Sequence, residues 1–588
     1  MITAKPTWVD DIQGLFAAPF WLPPEDRAKV GQGWLGCMRG YLIDLADYDS
    51  VREWSVTIYD HLISRSMPLT DDTRQFWPLD ALETFRLWVN QGWRRDAHAP
   101  FDEAPRIPKP AVPRGKLRMR RDLAAMSAAE IDDFRARLDD VMDIGNPAPT
   151  APWQKWAYIH TNWCLHYQEA FALWHRAYLV YLENLLGCAI PYWDFMAADA
   201  SKPDSPQAGL PQAFLDETYV HPGTRETRPN PLRFAAAKDG QSKYCAATGK
   251  RGGDCLYVHR DPLFYTRGDD HRAERARLFA MAGLFQQQVV DALAFDTFSV
   301  PQGSPGFPWA NIPAFTPPQP DKDYPYRDQN FDGAFEQPHD NYHGWIGPDM
   351  ADNAYTAFDP VFISYHANID RMLERWIRSH PVAQYSVGVP LRPFVGQDAA
   401  VINERTSELW RYTTLGDMAQ DSRHIGYDYG PPAAPQFKGA QHSGGRGAVA
   451  AAAGATHAAW VIFDGVRCTH DSYAIDVFLG GEAGQAGAEN PAYVGRFSRI
   501  GMGIQDDKGR CIRHGVSRML DAAPAARALG LPTGSDPGLA IRVTHLHENR
   551  EVTPDEYRTL PGFVPFFHWG DARCAPIDKG APGQCCSA

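Results

Sequence analysis

The sequence predicts a multidomain protein: a mainly α-helical domain, an N-terminal helical extension and a C-terminal β-sandwich. Three observations carry that expectation. Apolar residues recur at helical spacing over much of the first part of the 588-residue chain. Beyond about residue 459 the period changes to strand-like alternation. Between the two regimes lies KGAQHSGGRGAVAAAAGATHAA, an Ala/Gly tract with little to pack, which reads as a flexible tether. The expected segments are therefore 1–110 (helical extension), 116–432 (helical domain), 433–458 (tether) and 459–580 (sandwich).

Taken in order, Val51–Ile63 and Leu79–Trp93 carry apolar residues at helical spacing, Leu82, Phe85 and Val89 among them, with Trp77-Pro78 as punctuation. A small Trp-rich unit of this kind suits a cover or an interface between copies of the chain. PRIPKPAVPRG is a joint. At Ser127, SAAE forms a capping box that starts a helix running to about Met142. Glu169–Leu186 reads as helix, with Phe171, His175, Tyr178 and Leu182 on one face. The Pro-, Gly- and Asp-rich stretch 195–325, with SKPDSPQAGLPQ and FTPPQPDKDYPY, suits loops around a site, and one helix is expected at Arg272–Phe295.

Farther on, Tyr473, Ile475, Val477 and Leu479 alternate with Ala474, Asp476 and Phe478, and AIRVTHLHE near 540 alternates too, which suggests about seven strands. His545 and His547 would share a strand face; surface histidines are preferred there over a metal site.

Composition narrows the function classes. Hydrophobic residues make up 44% and charged residues 22%, as in an ordinary globular protein. A net charge of −13 leaves no basic stripe for nucleic acid. No apolar run has the length of a membrane span, and MITAKPTWVDDIQGLF lacks the apolar core of a signal peptide. A cytoplasmic location is expected, unless the protein leaves with a carrier. The ten cysteines are too dispersed for a disulfide scaffold. Cys245 and Cys255 flank a Gly-rich loop and either pair or stay free; in the cytosol free thiols are preferred.

The chemistry concentrates in two stretches. His160, His166 and His175 fall within sixteen residues, and Arg176 follows. His166 and His175, nine apart, lie on opposite sides of a straight helix, so both cannot point at one metal from it. The expectation places His175 on the helix and His160 and His166 in the approach. In the second stretch His339 and His343, four apart, share one helix face. His366 begins another helix, and Asp370, four residues on, lies beneath its face, placed to orient a ligand or tie the helix down. Neutral imidazoles suit copper or zinc better than calcium or magnesium. A zinc hydrolase is the competing reading, but no HExxH-like frame is present.

Cys164-x-His166, the step to His175 in FALWHR with Tyr178 and Glu183, PYWD at 191–194, His339-x3-His343, and DPVF and HANIDR around His366 together resemble the type-3 copper proteins: tyrosinases, catechol oxidases and haemocyanins. The resemblance covers roughly 116–430 and implies a site within a four-helix bundle, in which His160, His166 and His175 bind one copper and His339, His343 and His366 the second, with dioxygen as co-substrate. It implies ortho-hydroxylation of small phenols and oxidation of o-diphenols to o-quinones, the tyrosinase reaction. Catechol or o-aminophenol oxidation alone is the alternative, and an oxygen carrier the more remote one.

Tyr427-x-Tyr429 is similar to the tyrosine motif that closes the catalytic domain, with Arg120 as its partner, and Phe362 belongs to the site region. The tether and sandwich resemble the shielding domain of latent tyrosinases, so the intact chain is expected to be partly latent. Four further readings stay open at this stage. Cys164 is either a thioether partner of His166 or a simple buried Cys. Glu336 is either the acid that holds a base water or a solvated helix-start carboxylate. Asp340, where many monophenol-active members have Asn, either accepts the phenol proton or disfavours phenol approach. Cys585 and Cys586 either receive copper or form a loose end. Tyr365 is expected to pack beside the site and leave ligation to His366.

Overall fold

The computed structural model describes residues 3–63, 67–68, 70, 75–104, 106–107, 117–164, 166, 171–246, 249–261, 272–298, 331–380, 391, 415–439, 458–467, 469–487, 489–501, 516–548 and 550–570. Most of the 105–115 joint, FTPPQPDKDYPY, most of the tether, and Cys585 and Cys586 lie outside the described residues. The chain divides into two compact units, Met1–Leu117 with Thr297–Pro318 and Trp376–Asp428, and Arg118–Asp296 with Gln319–Arg375 and Tyr429–Ala588.

In the first unit, α1 (Pro24–Arg39) begins with a proline whose missing N–H would have had no partner there. It is followed by α2 (Tyr48–Ile63) and α3 (Leu79–Asn90). Trp8, Phe16, Trp21, Trp77, Phe85 and Trp88 form the core. Their rings meet tilted or edge-on, as with Phe16 and Trp77 at 5.0 Å, the arrangement that ring quadrupoles favour.

The second unit holds the helices that carry the histidines. Its first helix, α4 (Ala128–Asp139), has the expected capping box at Ser127 and Glu130 and stops at Asp139, short of Met142. Then come α5 (Pro152–Trp163), α6 (Phe171–Leu186), α7 (Arg272–Leu293), α8 (Phe331–Ile346) and α9 (Val361–Ser379). Glu169 and Ala170, expected in α6, lie outside the described residues. Two expectations are corrected here. His160 lies on α5, not in the approach, because Pro152 starts a helix whose Trp153, Trp156 and His160 fall on one buried stripe. His366 is the sixth residue of α9 rather than its first.

Buried charge binds α6 to α9. Asp370 accepts from Arg176 Nε at 2.5 Å, from Arg120 Nη1 at 2.7 Å and from Tyr429 OH at 2.5 Å. Glu183 accepts from Arg120 Nε at 2.7 Å, and Glu374 from Arg176 Nη2 at 2.7 Å. Asp370 thus ties the helices together beneath His366, and the expected pairing of Arg120 with Tyr429 is present.

Cys245 and Cys255 form a disulfide, which overturns the preference for free thiols. Their Cα atoms lie 5.7 Å apart, within bridging range, a proximity that sequence spacing did not reveal. On either side of the bridged loop, the Lys243 and His259 backbone amides both donate to buried Asp349.

The C-terminal strands are β1 (Ala459–Val466), β2 (Tyr473–Leu479), β3 (Tyr493–Arg499), β4 (Val516–Asp521), β5 (Leu539–His545), β6 (Arg550–Val552) and β7 (Phe566–Trp569). They form a sheet of order β6-β5-β2-β3 and another of order β7-β1-β4, antiparallel throughout. Val461, Phe463, Ile475, Val477, Phe497, Leu520 and Val543 fill the core. The residues between them on β2 are buried as well. Asp476 takes Arg496 and the Tyr493 hydroxyl, and that hydroxyl also meets Met281 Sδ on α7 at 3.7 Å. His545 and His547 do not share a strand: β5 ends at His545, which is buried beside Asp471 and not at the surface.

Candidate metal centre

Six histidines from α5, α6, α8 and α9 and from the segment between α5 and α6 are buried together in the second unit. On α8 the four-residue step brings His339 and His343 to one face, and His366 meets them from α9. His366 Nε2 lies 3.3 Å from His339 Nε2 and 3.3 Å from His343 Nε2. On the other side His160 Nε2 lies 3.2 Å from His175 Nε2. The two sets adjoin where His175 and His366 stack at 4.5 Å.

The remaining ring nitrogens decide the tautomers. His175 Nδ1 faces the Phe171 carbonyl at 2.8 Å, His343 Nδ1 the Met350 carbonyl at 2.8 Å, and His339 Nδ1 the Asp340 carboxylate at 3.0 Å. An acceptor at Nδ1 puts the proton there, an assignment made from these partners. The inward Nε2 atoms of His175, His339 and His343 then carry lone pairs, aimed at Nε2 of His160 and His366. A cation placed among these nitrogens would take the lone pairs. Metal–imidazole bonds of about 2.0–2.1 Å hold neighbouring nitrogens about 3.3 Å apart around one ion, which matches the observed spacings.

Burial, followed by the neighbouring imidazoles, pushes His160 and His366 well below the ordinary histidine range, and burial brings His343 down to about 3. These rings are therefore neutral and available as ligands at any ordinary pH.

His166 differs. It lies just past the end of α5, its ring 5.0 Å from His175 and stacked on His339 at 5.4 Å. Its ligand atoms cluster with those of His160 and Cys164, and also with those of His339 and Asp340. Burial disfavours a charge on it, but Cys164 and Glu336 outweigh that and push it up to about 10. A metal ion at this ring must therefore displace a proton. Cys164 donates to Asn353 Oδ1 at 3.3 Å and sits beside His166 as a buried thiol.

The carboxylates of α8 stand behind the histidines. Glu336 Oε1 lies 3.5 Å from His166 Nδ1, in mid-helix and fully buried, so it is not a solvated helix-start group. Asp340 Oδ1 meets His339 Nδ1. Burial and Glu336 push Asp340 up to about 7, and Arg518 pulls it back. Phe362, on α9, touches His366 at 4.1 Å and His160 at 4.6 Å, one from each set. Tyr365 stacks on His339 at 5.9 Å and donates to its carbonyl at 2.9 Å, pointing away from ligation as expected. Arg176, next to His175, faces Asp370 and Glu374.

Some neighbours were not found from sequence. Phe171 bridges the sets, 5.4 Å from His175 and 4.8 Å from His339, although its place on the His175 face of α6 was visible. Met350, Asn353 and Thr356 hold His343 and Cys164 from the turn between α8 and α9, and no local pattern marks them. Arg518 comes from β4, far along the chain.

Two adjoining sets of buried imidazoles on packed helices form a site that could hold a pair of metal ions. Residues 150–379 match the common central domain of tyrosinase. A tyrosinase of Streptomyces antibioticus is 26% identical over 274 residues, 45% of this chain and 80% of that one. A G-type hemocyanin of Enteroctopus dofleini is 23% identical over 343 residues, 53% of this chain. The chain spans only 10% of that hemocyanin's length. Among solved structures, the fold is similar to a tyrosinase of Burkholderia thailandensis, with a TM-score of 0.51 and 17% identity over 77% of this chain and all of that one. The two histidine sets fit two copper ions.

Proposed function

We propose that the protein is a dicopper oxidase that uses dioxygen to hydroxylate monophenols at the ortho position and to oxidise o-diphenols to o-quinones. The observation that carries this reading is the pair of adjoining imidazole sets with inward Nε2 atoms 3.2–3.3 Å apart, within the stretch that matches the central domain of tyrosinase. His160, His166 and His175 would hold one copper and His339, His343 and His366 the other. When bound, the copper pair supplies two-electron exchange with dioxygen.

The chain's own groups keep the centre dry and fixed. Phe171 and Phe362 exclude water between the sets. The Phe171 and Met350 carbonyls and Asp340 hold the Nδ1 protons, so that the imidazoles cannot rotate. Glu336 and Asp340, candidates for the base that takes the phenol proton, are turned in the intact chain toward His166, His339 and Arg518; we give them the role of holding the imidazoles. The C-terminal sheets pack along α8, so the intact chain is read as latent.

The test is a paired assay of copper-loaded protein with a monophenol such as 4-methylphenol and with catechol. Product from both supports the reading. Catechol turnover alone assigns a catechol or o-aminophenol oxidase. The matches to hemocyanins favour a second reading, an oxygen carrier, and reversible oxygen binding with L-DOPA left untouched would establish it. If cutting within 438–459 and displacing the β-strand region leaves turnover per copper unchanged or slower, latency is discarded.

A further inference from the structure

Arg518 lies on β4, buried, with Nη2 3.8 Å from Glu336 Oε2 and 3.8 Å from Asp340 Oδ2. The two carboxylates stand four residues apart on α8, on consecutive turns, where like charges repel and burial magnifies the cost. Their other oxygens face His166 Nδ1 and His339 Nδ1, at 3.5 Å and 3.0 Å. One guanidinium is therefore linked through two carboxylates to one imidazole of each set.

The contact rests on a matched surface. Gln337 donates to the Met519 carbonyl at 3.3 Å, next to Arg518, and Asn341 to the Arg496 carbonyl at 3.2 Å. At Gly344 a Cβ would meet Leu546 Cδ1 at 2.9 Å. Residues 337, 341 and 344 form one helical stripe, so α8 presents a single face to β3, β4 and the end of β5. A second anchor lies at the turn after α8. Asn353 N donates to the Gly501 carbonyl at 3.0 Å and Ser472 Oγ to the Ala351 carbonyl.

We propose that Arg518 is a positioning residue of the metal centre, holding Glu336 and Asp340 and, through them, His166 and His339. On this assignment the C-terminal region supports the copper site as well as covering it. Removing Arg518 takes away a counter-charge that both buried carboxylates face, and the histidines they orient lose part of their fixed aim. Carboxylates that orient metal-bound histidines typically affect metal affinity by about 10–100-fold when disturbed.

The inference rests on the reading of the six histidines as copper ligands, and the experiment separates the two. Full-length, copper-loaded protein is titrated with a competing chelator, and copper per chain is counted for the wild type, Arg518→Lys, Arg518→Met, and Arg518→Met combined with Asp340→Asn. The thermal midpoints of the apo chains are measured alongside. Arg518→Met should release copper at chelator concentrations about 10–100-fold lower. Arg518→Lys should stay within a few-fold of the wild type. The double variant lacks the same guanidinium but has one buried carboxylate fewer, and it should recover most of the loss, which a role in packing alone does not predict. Wild-type retention in Arg518→Met, or a double variant as leaky as Arg518→Met, overturns the proposal. If Arg518→Met does not fold, the double variant decides by itself: retention near the wild type supports the proposal and loss overturns it. A wild type that takes up no copper refutes the ligand reading instead.

Discussion

Arg176 Nε donates to Asp370 Oδ1 at 2.5 Å, joining the helix that carries His175 to the helix that carries His366. Asp370 also takes Arg120 and Tyr429, so its carboxylate closes a buried network beneath the metal centre. Breaking a buried pair by removing one partner costs about 3–5 kcal/mol, because the other charge stays buried. Asp370→Ala should therefore lower stability by about that amount, measured by denaturant unfolding of the apo chain. A loss below about 1 kcal/mol would show that solvent or a neighbour compensates.

His366→Ala removes the nitrogen that both His339 and His343 face at 3.3 Å. Metal analysis should find about one tightly held copper per chain. Two would refute the assignment of His366.

Gly344→Leu puts a side chain where Leu546 and Ser498 already lie. Overpacking of this kind costs about 1–3 kcal/mol. Limited proteolysis should cut the variant faster within 459–570 than the wild type. Equal rates would mean that the α8 face does not hold the sheets.

The His545 imidazole, with Nε2 3.7 Å from Oδ2, is the largest of the influences that hold the Asp471 carboxyl below the usual carboxylate range. A depressed folded-state pKa means that the unfolded chain binds more protons. The stability from Asp471 is therefore in place above about pH 4 and is lost as pH falls through the depressed value. Thermal midpoints between pH 6 and pH 3 should drop less steeply for Asp471→Asn than for the wild type. Parallel curves would remove Asp471 from the acid transition.

The Cys245–Cys255 bridge closes a loop with a sequence separation of 10. Loops of this size give about 2–3 kcal/mol in the chain-entropy account. Cys245→Ser together with Cys255→Ser should lower the thermal midpoint, and a reductant should shift the wild type toward the variant. No shift in either would show that the bridge adds nothing.

Much of this was readable residue by residue. The capping box at Ser127, the helices carrying His175 and His339, and the alternation of β2 and β5 follow from local periodicity, which a backbone of fixed geometry imposes on the sequence. The six histidines were found because the ligand types and the four-residue step between His339 and His343 are local facts as well. His160 was placed in the approach because the helix was read from Glu169 onward, whereas Pro152 starts an earlier helix on which Trp153, Trp156 and His160 form a buried stripe.

Contacts between distant segments required the fold. The disulfide depends on how a Gly-rich loop closes, and Glu336 and Asp340 meet Arg518 only because β4 is brought to α8. Spacing along one helix or strand is set by the repeat of the backbone, so residue types at that spacing reveal which groups stand together. Which face meets which partner across the chain is set by packing and by the pairing of buried charge, and those terms exist only once the segments have come together.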